Sequence, residues 1–203
     1  MRLKQDIKSL GCNNIIINDM RVVELMNKMY KFHNPTYWHC IRVMIITCAF
    51  MNNYYDSEML SFLAKSALLH DIGKLYIPDD ILNKNSALTE EEWLLMRNHA
   101  MYSYDILKDY EFEETVCIGA RDHHEKMNGS GYPSGLNGYT ISEFGRIISV
   151  FDVFDALTHK RSYKEAETLK MSINIMSSMN GFDLNILSRL ESNAKTNIII
   201  LEE

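Results

Sequence analysis

Proline is scarce, with three residues in 203, and the chain shows no internal repeat, low-complexity tract or interdomain linker. Its four cysteines, Cys12, Cys40, Cys48 and Cys117, form no CxxC pair, and none lies beside a run of histidine. That leaves reduced, mostly buried thiols as the simplest reading. No apolar stretch approaches the length of a membrane span, Val43 to Met51 being the longest candidate, and the N-terminus lacks the apolar core of a signal peptide. An excess of positive charge is missing too. The formal net charge of −6 argues against a broad nucleic-acid face. It leaves room for a small anionic ligand, because metals and a few local cations can reverse the sign inside a cleft. The expectation is a soluble, cytoplasmic protein with no membrane association and no DNA or RNA polymer as partner.

What is present points to helices. Hydrophobic residues make up 46% of the chain, 13 of them Met, and Leu and Ile recur at helical spacing. One all-α domain is long enough to bury a sizeable core. Residues 1–10 read as a short charged helix stopped by Gly11. Asp19 caps a helix from Met20 to about Lys31, and Pro35 opens the next, about 36–52. Asp56 or Ser57 caps the helix that leads to His70. The clearest start signal is Leu88-Thr89-Glu90-Glu91-Glu92-Trp93, a capping box on Thr89 and Glu92 with Leu88 and Trp93 at staple positions. That helix is expected to run unbroken to about Lys108. Others follow at about 112–124, 142–159, 165–179 and 184–193, with Gly181 breaking the last two and Asp183 capping. Two β-branched runs, Ile15-Ile16-Ile17 and Ile198-Ile199-Ile200, either pair as a short two-stranded ribbon, within one chain or across a homodimer, or pack as irregular tail.

The chemistry gathers around His70-Asp71-Ile72-Gly73-Lys74, which ends the apolar helix 57–69. Gly73 reads as a stop signal, which puts His70 and Asp71 in the last turn, where unpaired carbonyls favour a cation. An imidazole and a carboxylate there can bind a divalent metal, and the carboxylate can bridge two. The plain alternative is a buried His-Asp hydrogen bond. The other histidines, His33, His39, His99, His123, His124 and His159, would each alone be structural or exposed, but His123-His124 is a second pair closing a helix. Asp152 follows the apolar run Ile147-Ile148-Ser149-Val150-Phe151, so it needs a partner once buried, and a metal is a good one.

Five segments resemble one known family over about residues 19–190: His39-Cys40-Ile41-Arg42-Val43, HDIGK at 70–74 followed by Ile77-Pro78, Leu88-Thr89 with His99, HHEKMNGSGYPSGLNG at 123–138, and FDVFDALTHKRSYK at 151–164. The chain is similar to the HD-GYP subgroup of the HD-domain metallophosphohydrolases, which degrade cyclic di-GMP. The resemblance implies a helical bundle over 19–195, which leaves an N-terminal extension at 1–18 and a C-terminal tail at 196–203; unlike in many relatives, no sensory domain is expected ahead of the catalytic region. It implies two divalent transition-metal ions, iron or manganese before nickel or zinc. His39, His70, Asp71 and Asp152 would hold one, and Asp71 would bridge to a second held by His99, His123 and His124. Pro35 stands where some members have a third-metal glutamate, so two metals are expected. Lys74, Arg161 and Lys164 match phosphate-contacting positions, and Lys74 is also the candidate to protonate or stabilise the leaving alkoxide. Asp155 matches a further site position, expected to orient that lysine or a water. Tyr132 of the GYP turn could stack on a guanine, and the turn is credited in the family with contacts to signalling partners. The implied reaction opens cyclic di-GMP to pGpG, and on to GMP if it continues. Hydrolysis of another cyclic dinucleotide, such as 3′,3′-cyclic GMP-AMP, and a noncatalytic nucleotide-binding scaffold are the alternatives. All ligand positions and Lys74 being present speaks against the scaffold.

Overall fold

The computed structural model describes residues 2–9, 18–159 and 166–196, without the side chains of 193–196. In chain order the helices are α1 (Arg2–Ser9), α2 (Met20–Phe32), α3 (Asn34–Met51), α4 (Ser57–Leu69), α5 (Asp79–Leu82), α6 (Glu90–Arg97), α7 (His99–Asp109), α8 (Glu114–Asp122), α9 (Glu143–Thr158), α10 (Leu169–Ser178) and α11 (Leu184–Thr196). Short 3-10 turns cover Ile72–Tyr76 and Gly138–Thr140. No strand occurs among the described residues, and an isolated antiparallel bridge joins Asn128 to Asn137. The all-α expectation is met. The two isoleucine runs proposed as a ribbon lie outside the described residues, as do Cys12, Arg161 and Lys164.

Most helix starts follow from their capping residues. Asp19 accepts from the Arg21 N–H, and Asp56 from those of Glu58 and Met59. The Thr89–Glu92 capping box forms in both directions, and Ser142 and Asp183 cap α9 and α11. α3 begins at Asn34, two residues earlier than expected, because His33 caps it by accepting the Thr36 N–H on Nδ1.

α3 is apolar on nearly every side and buried accordingly, with Tyr37, Ile41, Val43 and Met44 all inaccessible. It packs against α4 and α9, while α8 packs against α4, α7 and α9. The aromatic side chains of Phe144, Phe151 and Phe154 fill the space between. Leu3 and Ile7 of α1 join the same core, and Tyr37 donates to Asp6 at 2.6 Å. The described part of the N-terminal extension is therefore packed on the bundle. No helix among the described residues is long and apolar enough to cross a membrane.

Two expectations need correction. The helix expected from 90 to 108 breaks at Asn98, whose N–H turns back to Leu95 and Met96. The Met96 carbonyl also accepts from His99 Nδ1 at 2.7 Å, so the ladder is interrupted and α7 starts afresh at His99. Gly73 does not end α4 by adopting positive φ, since the positive-φ glycines are Gly129, Gly135 and Gly138. It is small because α7 lies against it: a Cβ there would strike the His99 carbonyl and come within 2.5 Å of the Ser103 N–H nitrogen. The Gly73 N–H donates to Ser103 Oγ, and that hydroxyl donates to the His70 carbonyl at 2.6 Å. Gly73→Ala is thus expected to force the 3-10 turn Ile72–Tyr76 and α7 apart and to cost at least about 1–3 kcal/mol of stability, the usual range for overpacking. Denaturant unfolding checks this, and an unchanged midpoint contradicts the contact.

Candidate metal centre

The last turns of α4 and α8, the first residue of α7 and the inner faces of α3 and α9 meet at one point. His70 closes α4, His123 closes α8, and His99 opens α7. Each of the three places Nδ1 2.6–2.7 Å from the carbonyl three residues earlier: Ala67, Met96 and Ala120. A carbonyl can only accept, so Nδ1 carries the proton and Nε2 presents a bare lone pair to the centre.

Asp71 lies among these lone pairs, almost inaccessible. Its Oδ1 is 3.3 Å from His99 Nε2 and 3.9 Å from His123 Nε2, and its Oδ2 is 3.5 Å from His70 Nε2 and 3.8 Å from His39 Nε2. His39 Nε2 is 3.0 Å from Asp152 Oδ1. Two separate clusters of potential ligand atoms result, Asp71 with His99, His123 and His124, and His39 with His70 and Asp152, and a third grouping, Cys40 with His70 and Asp71, overlaps both. Every position named as a metal ligand in the sequence is brought here.

The buried His-Asp hydrogen bond offered as the plain alternative is not formed: His70 Nε2 and Asp71 Oδ1 are both buried without a hydrogen-bond partner. Further, His99 Nε2 and His123 Nε2 stand 3.4 Å apart, lone pair to lone pair. Orphaned buried acceptors of this kind are costly unless a cation takes them. Imidazole nitrogens and carboxylate oxygens in this mixture suit a divalent transition metal. The residues fit such an ion.

Electrostatics point the same way for four of the five imidazoles. Burial pushes the His70, His123 and His124 imidazoles down, and His99 to about 4, so all four are neutral ligands at pH 7. At His39 burial works against the charge, but the Asp152 and Asp155 carboxylates on either side raise it to about 9, so a metal there would have to displace a proton. Burial opposes ionisation of Asp71, but the Lys74 ammonium and the surrounding imidazoles hold it well below the usual carboxylate range. Lys74 Nζ donates to Asp71 Oδ2 at 2.6 Å. Burial works against its charge, yet Asp71 raises its pKa, so it is a fixed cation.

Asp155 behaves differently from expectation. It was read as orienting Lys74 or a water; instead both its oxygens face other groups. His39 Nδ1 lies 2.7 Å from Oδ2, Arg42 spans both oxygens at 2.8 and 3.0 Å, and His159 Nδ1 is 3.0 Å from Oδ1. Burial opposes its charge, but these bonds keep the carboxyl far below its ordinary range. Tyr132 lines the cleft, its ring 4.6 Å from that of His124 and beneath the Arg97 guanidinium at 4.7 Å.

Sequence reasoning gave Arg42 and Glu125 no role. Arg42 follows His39 by three residues, one helical turn, which could have flagged it. Buried Glu125 accepts the N–H groups of Ser134 and Leu136, pinning the GYP loop against the paired histidines. Gly131 allows that approach, because a Cβ would come within 2.5 Å of the Glu125 Cα and of the Lys126 nitrogen. Above the centre opens a cleft of about 730 Å³, with Asp71, Lys74, Asp152 and Tyr132 in its lining.

Comparison with known proteins identifies the family. Residues 25–186 match the family model described as HD domain. Over 157 residues, 76% of this chain and 34% of the relative, it is 44% identical to the 3′3′-cGAMP-specific phosphodiesterase 3 of Vibrio cholerae. Over 128 residues, 62% of this chain and 34% of the relative, it is 40% identical to a cyclic di-GMP phosphodiesterase response regulator of Xanthomonas campestris. The chain thus spans about a third of the length of these curated relatives. In fold it is similar to the phosphodiesterase PgpH HD domain of L. monocytogenes, solved in complex with cyclic-di-AMP, with a TM-score of 0.64 and 17% identity over 89% of this chain and 98% of that one. With a family model spanning most of its length, and a GYP loop folded against the paired histidines it was expected to accompany, the chain belongs to the HD domain family, in its HD-GYP branch.

Proposed function

We propose that this chain is a metal-dependent phosphodiesterase that hydrolyses a cyclic dinucleotide, cyclic di-GMP to pGpG in the principal reading. The observation that carries the reading is the pair of ligand clusters meeting at Asp71, with orphaned acceptors turned inward, on the floor of a cleft lined by a fixed cation. Two metals would be held, one by His39, His70, Asp71 and Asp152, the other by Asp71, His99, His123 and His124. When bound, such metals supply a nucleophile from water at neutral pH and neutralise charge growing on phosphoryl oxygens.

The chain's own residues do the rest. Lys74 presents its ammonium beside Asp71, where negative charge on the leaving oxygen would develop, and stabilises it as a fixed donor. Arg161 and Lys164 complete the phosphate contacts in this reading. Asp155 positions rather than reacts: it accepts from His39 Nδ1 and so turns Nε2 toward the centre, with Arg42 and His159 holding the carboxylate in turn. Asp155→Asn is accordingly expected to weaken metal affinity about 10- to 100-fold, the usual cost of removing such a support. Metal titration of the apo protein measures it, and unaltered affinity contradicts the positioning role.

A second reading is 3′,3′-cyclic GMP-AMP as substrate, favoured by the 44% identity to a relative named for that specificity. One experiment tests both: elemental analysis of the purified chain, then turnover of each cyclic dinucleotide with identification of the products. About two transition-metal ions per chain and a linear dinucleotide product are expected. Nucleotide binding without turnover by the metal-loaded chain refutes the enzyme reading and favours a scaffold.

A further inference from the structure

One helix contributes nothing to the core. α6 (Glu90–Arg97) has no buried residue, touches only α5 and α7 to any extent, and exposes Trp93, Leu94 and Leu95 at 47%, 56% and 45%. Eight residues of exposed helix carrying a half-bare tryptophan need an explanation, and their position offers one. Trp93, with Met96 one turn on and Leu88 just ahead of the cap, lines the same cleft as Asp71 and Lys74. Three apolar side chains of this segment thus share the lining of the cleft with the metal centre.

Next to these side chains the polar groups are fixed in orientation. Asn83 Nδ2 donates to Asp79 Oδ1 at 2.7 Å, and since a carboxylate only accepts, the amide cannot be turned the other way. Its Oδ1 therefore faces His33 Nε2, at 3.2 Å, and must accept a proton from it. His33 Nδ1 is then bare and accepts the Thr36 N–H at 3.2 Å. The chain of donors from Thr36 through His33 and Asn83 to Asp79 bridges α3 to the segment before α6, across the rim of the cleft. It leaves Asn83 with one free N–H and one free lone pair, and Asn83 lines the cleft. Neighbouring Lys84 is taken up by Glu92.

A flat apolar face and an oriented carboxamide at the mouth of a phosphodiesterase cleft suit one occupant, a planar heterocycle with donors and acceptors along its edge. We propose that the mouth of the cleft is a nucleobase subsite, in which Trp93 supplies the stacking face and Asn83 the edge contact for one purine of the dinucleotide. The inference rests on the proposed hydrolase reading and adds to it the residues that prefer a nucleotide over a simple phosphodiester.

The test compares Trp93→Ala, Trp93→Phe and Asn83→Ala on cyclic di-GMP, on 3′,3′-cyclic GMP-AMP and on bis(p-nitrophenyl) phosphate, which has no base. Loss of one base stack is expected to raise KM for the turned-over dinucleotide about tenfold in Trp93→Ala, with kcat far less affected and Trp93→Phe restoring most of the loss. Asn83→Ala shifts KM in the same direction. The ratio of dinucleotide to bis(p-nitrophenyl) phosphate kcat/KM should fall about tenfold in Trp93→Ala. An unchanged KM, or an equal fall on both kinds of diester, overturns the subsite. Tryptophan fluorescence with added pGpG separates the two ideas: the quench should be largely lost in Trp93→Phe and kept in Trp38→Phe, which removes the other tryptophan of the cleft lining. If the unsubstituted chain hydrolyses no cyclic dinucleotide but this Trp93-dependent quench remains, the hydrolase reading fails and the subsite stands. A quench of equal size in Trp93→Phe overturns the subsite whatever the turnover.

Discussion

Asp71→Ala should lose both metal and turnover, with the rate falling by about a thousandfold or more, because metal stabilisation of phosphoryl charge is worth several kcal/mol. No other carboxylate described here has oxygens within 4 Å of four imidazole nitrogens. Its removal strips the carboxylate that lies between the two clusters, one oxygen toward each. His70→Ala is expected to follow it, since His70 Nε2 has no other use in the fold. The readout is elemental analysis beside the rate. Full activity in a chain without stoichiometric metal would falsify the ligand assignment. Folding is checked separately by far-UV circular dichroism, because Asp71 is buried and its loss could open the bundle.

Lys74→Ala should look different. None of the ligand atoms belongs to Lys74, so metal content is expected to stay near that of the unsubstituted chain. Turnover should fall about 10²- to 10³-fold, the cost of removing one fixed donor from a developing oxyanion. KM should move much less, since an interaction made mainly in the transition state appears in kcat. Lys74→Arg keeps the charge but not the reach, and partial recovery would mark the cation rather than a transferred proton as the useful feature. Weaker binding with unchanged turnover would reduce Lys74 to an ordinary phosphate contact.

The candidate ligands were legible in the sequence mainly through short motifs that resemble a known family, the residues alone offering His70-Asp71 and His123-His124 as pairs that close helices. The Thr89–Glu92 capping box was legible for a similar reason: both halves of the motif are local. The break at Asn98 was not. Apolar spacing continues through it, and what interrupts the ladder is a side-chain donor, His99 Nδ1, competing for the Met96 carbonyl. Gly73 was noticed but given the wrong reason, since close approach by α7 is a tertiary fact that no neighbouring residue announces. Asp155 was placed at the site but misread. Its partners His39 and Arg42 lie more than a hundred residues away in sequence, so only the packing of α3 on α9 shows which atoms it holds.

The manner in which the imidazoles are aimed has a consequence for mutational tolerance. His70, His99 and His123 take their orientation from main-chain carbonyls one turn back, acceptors present whatever residue occupies positions 67, 96 and 120. Drift at those positions can alter packing but cannot withdraw the acceptor. His39 alone among these four relies on a side chain, Asp155. A library of single substitutions scored for metal retention should therefore be forgiving around three ligands and intolerant at one non-ligand, with Asp155 as sensitive as a residue that touches the metal.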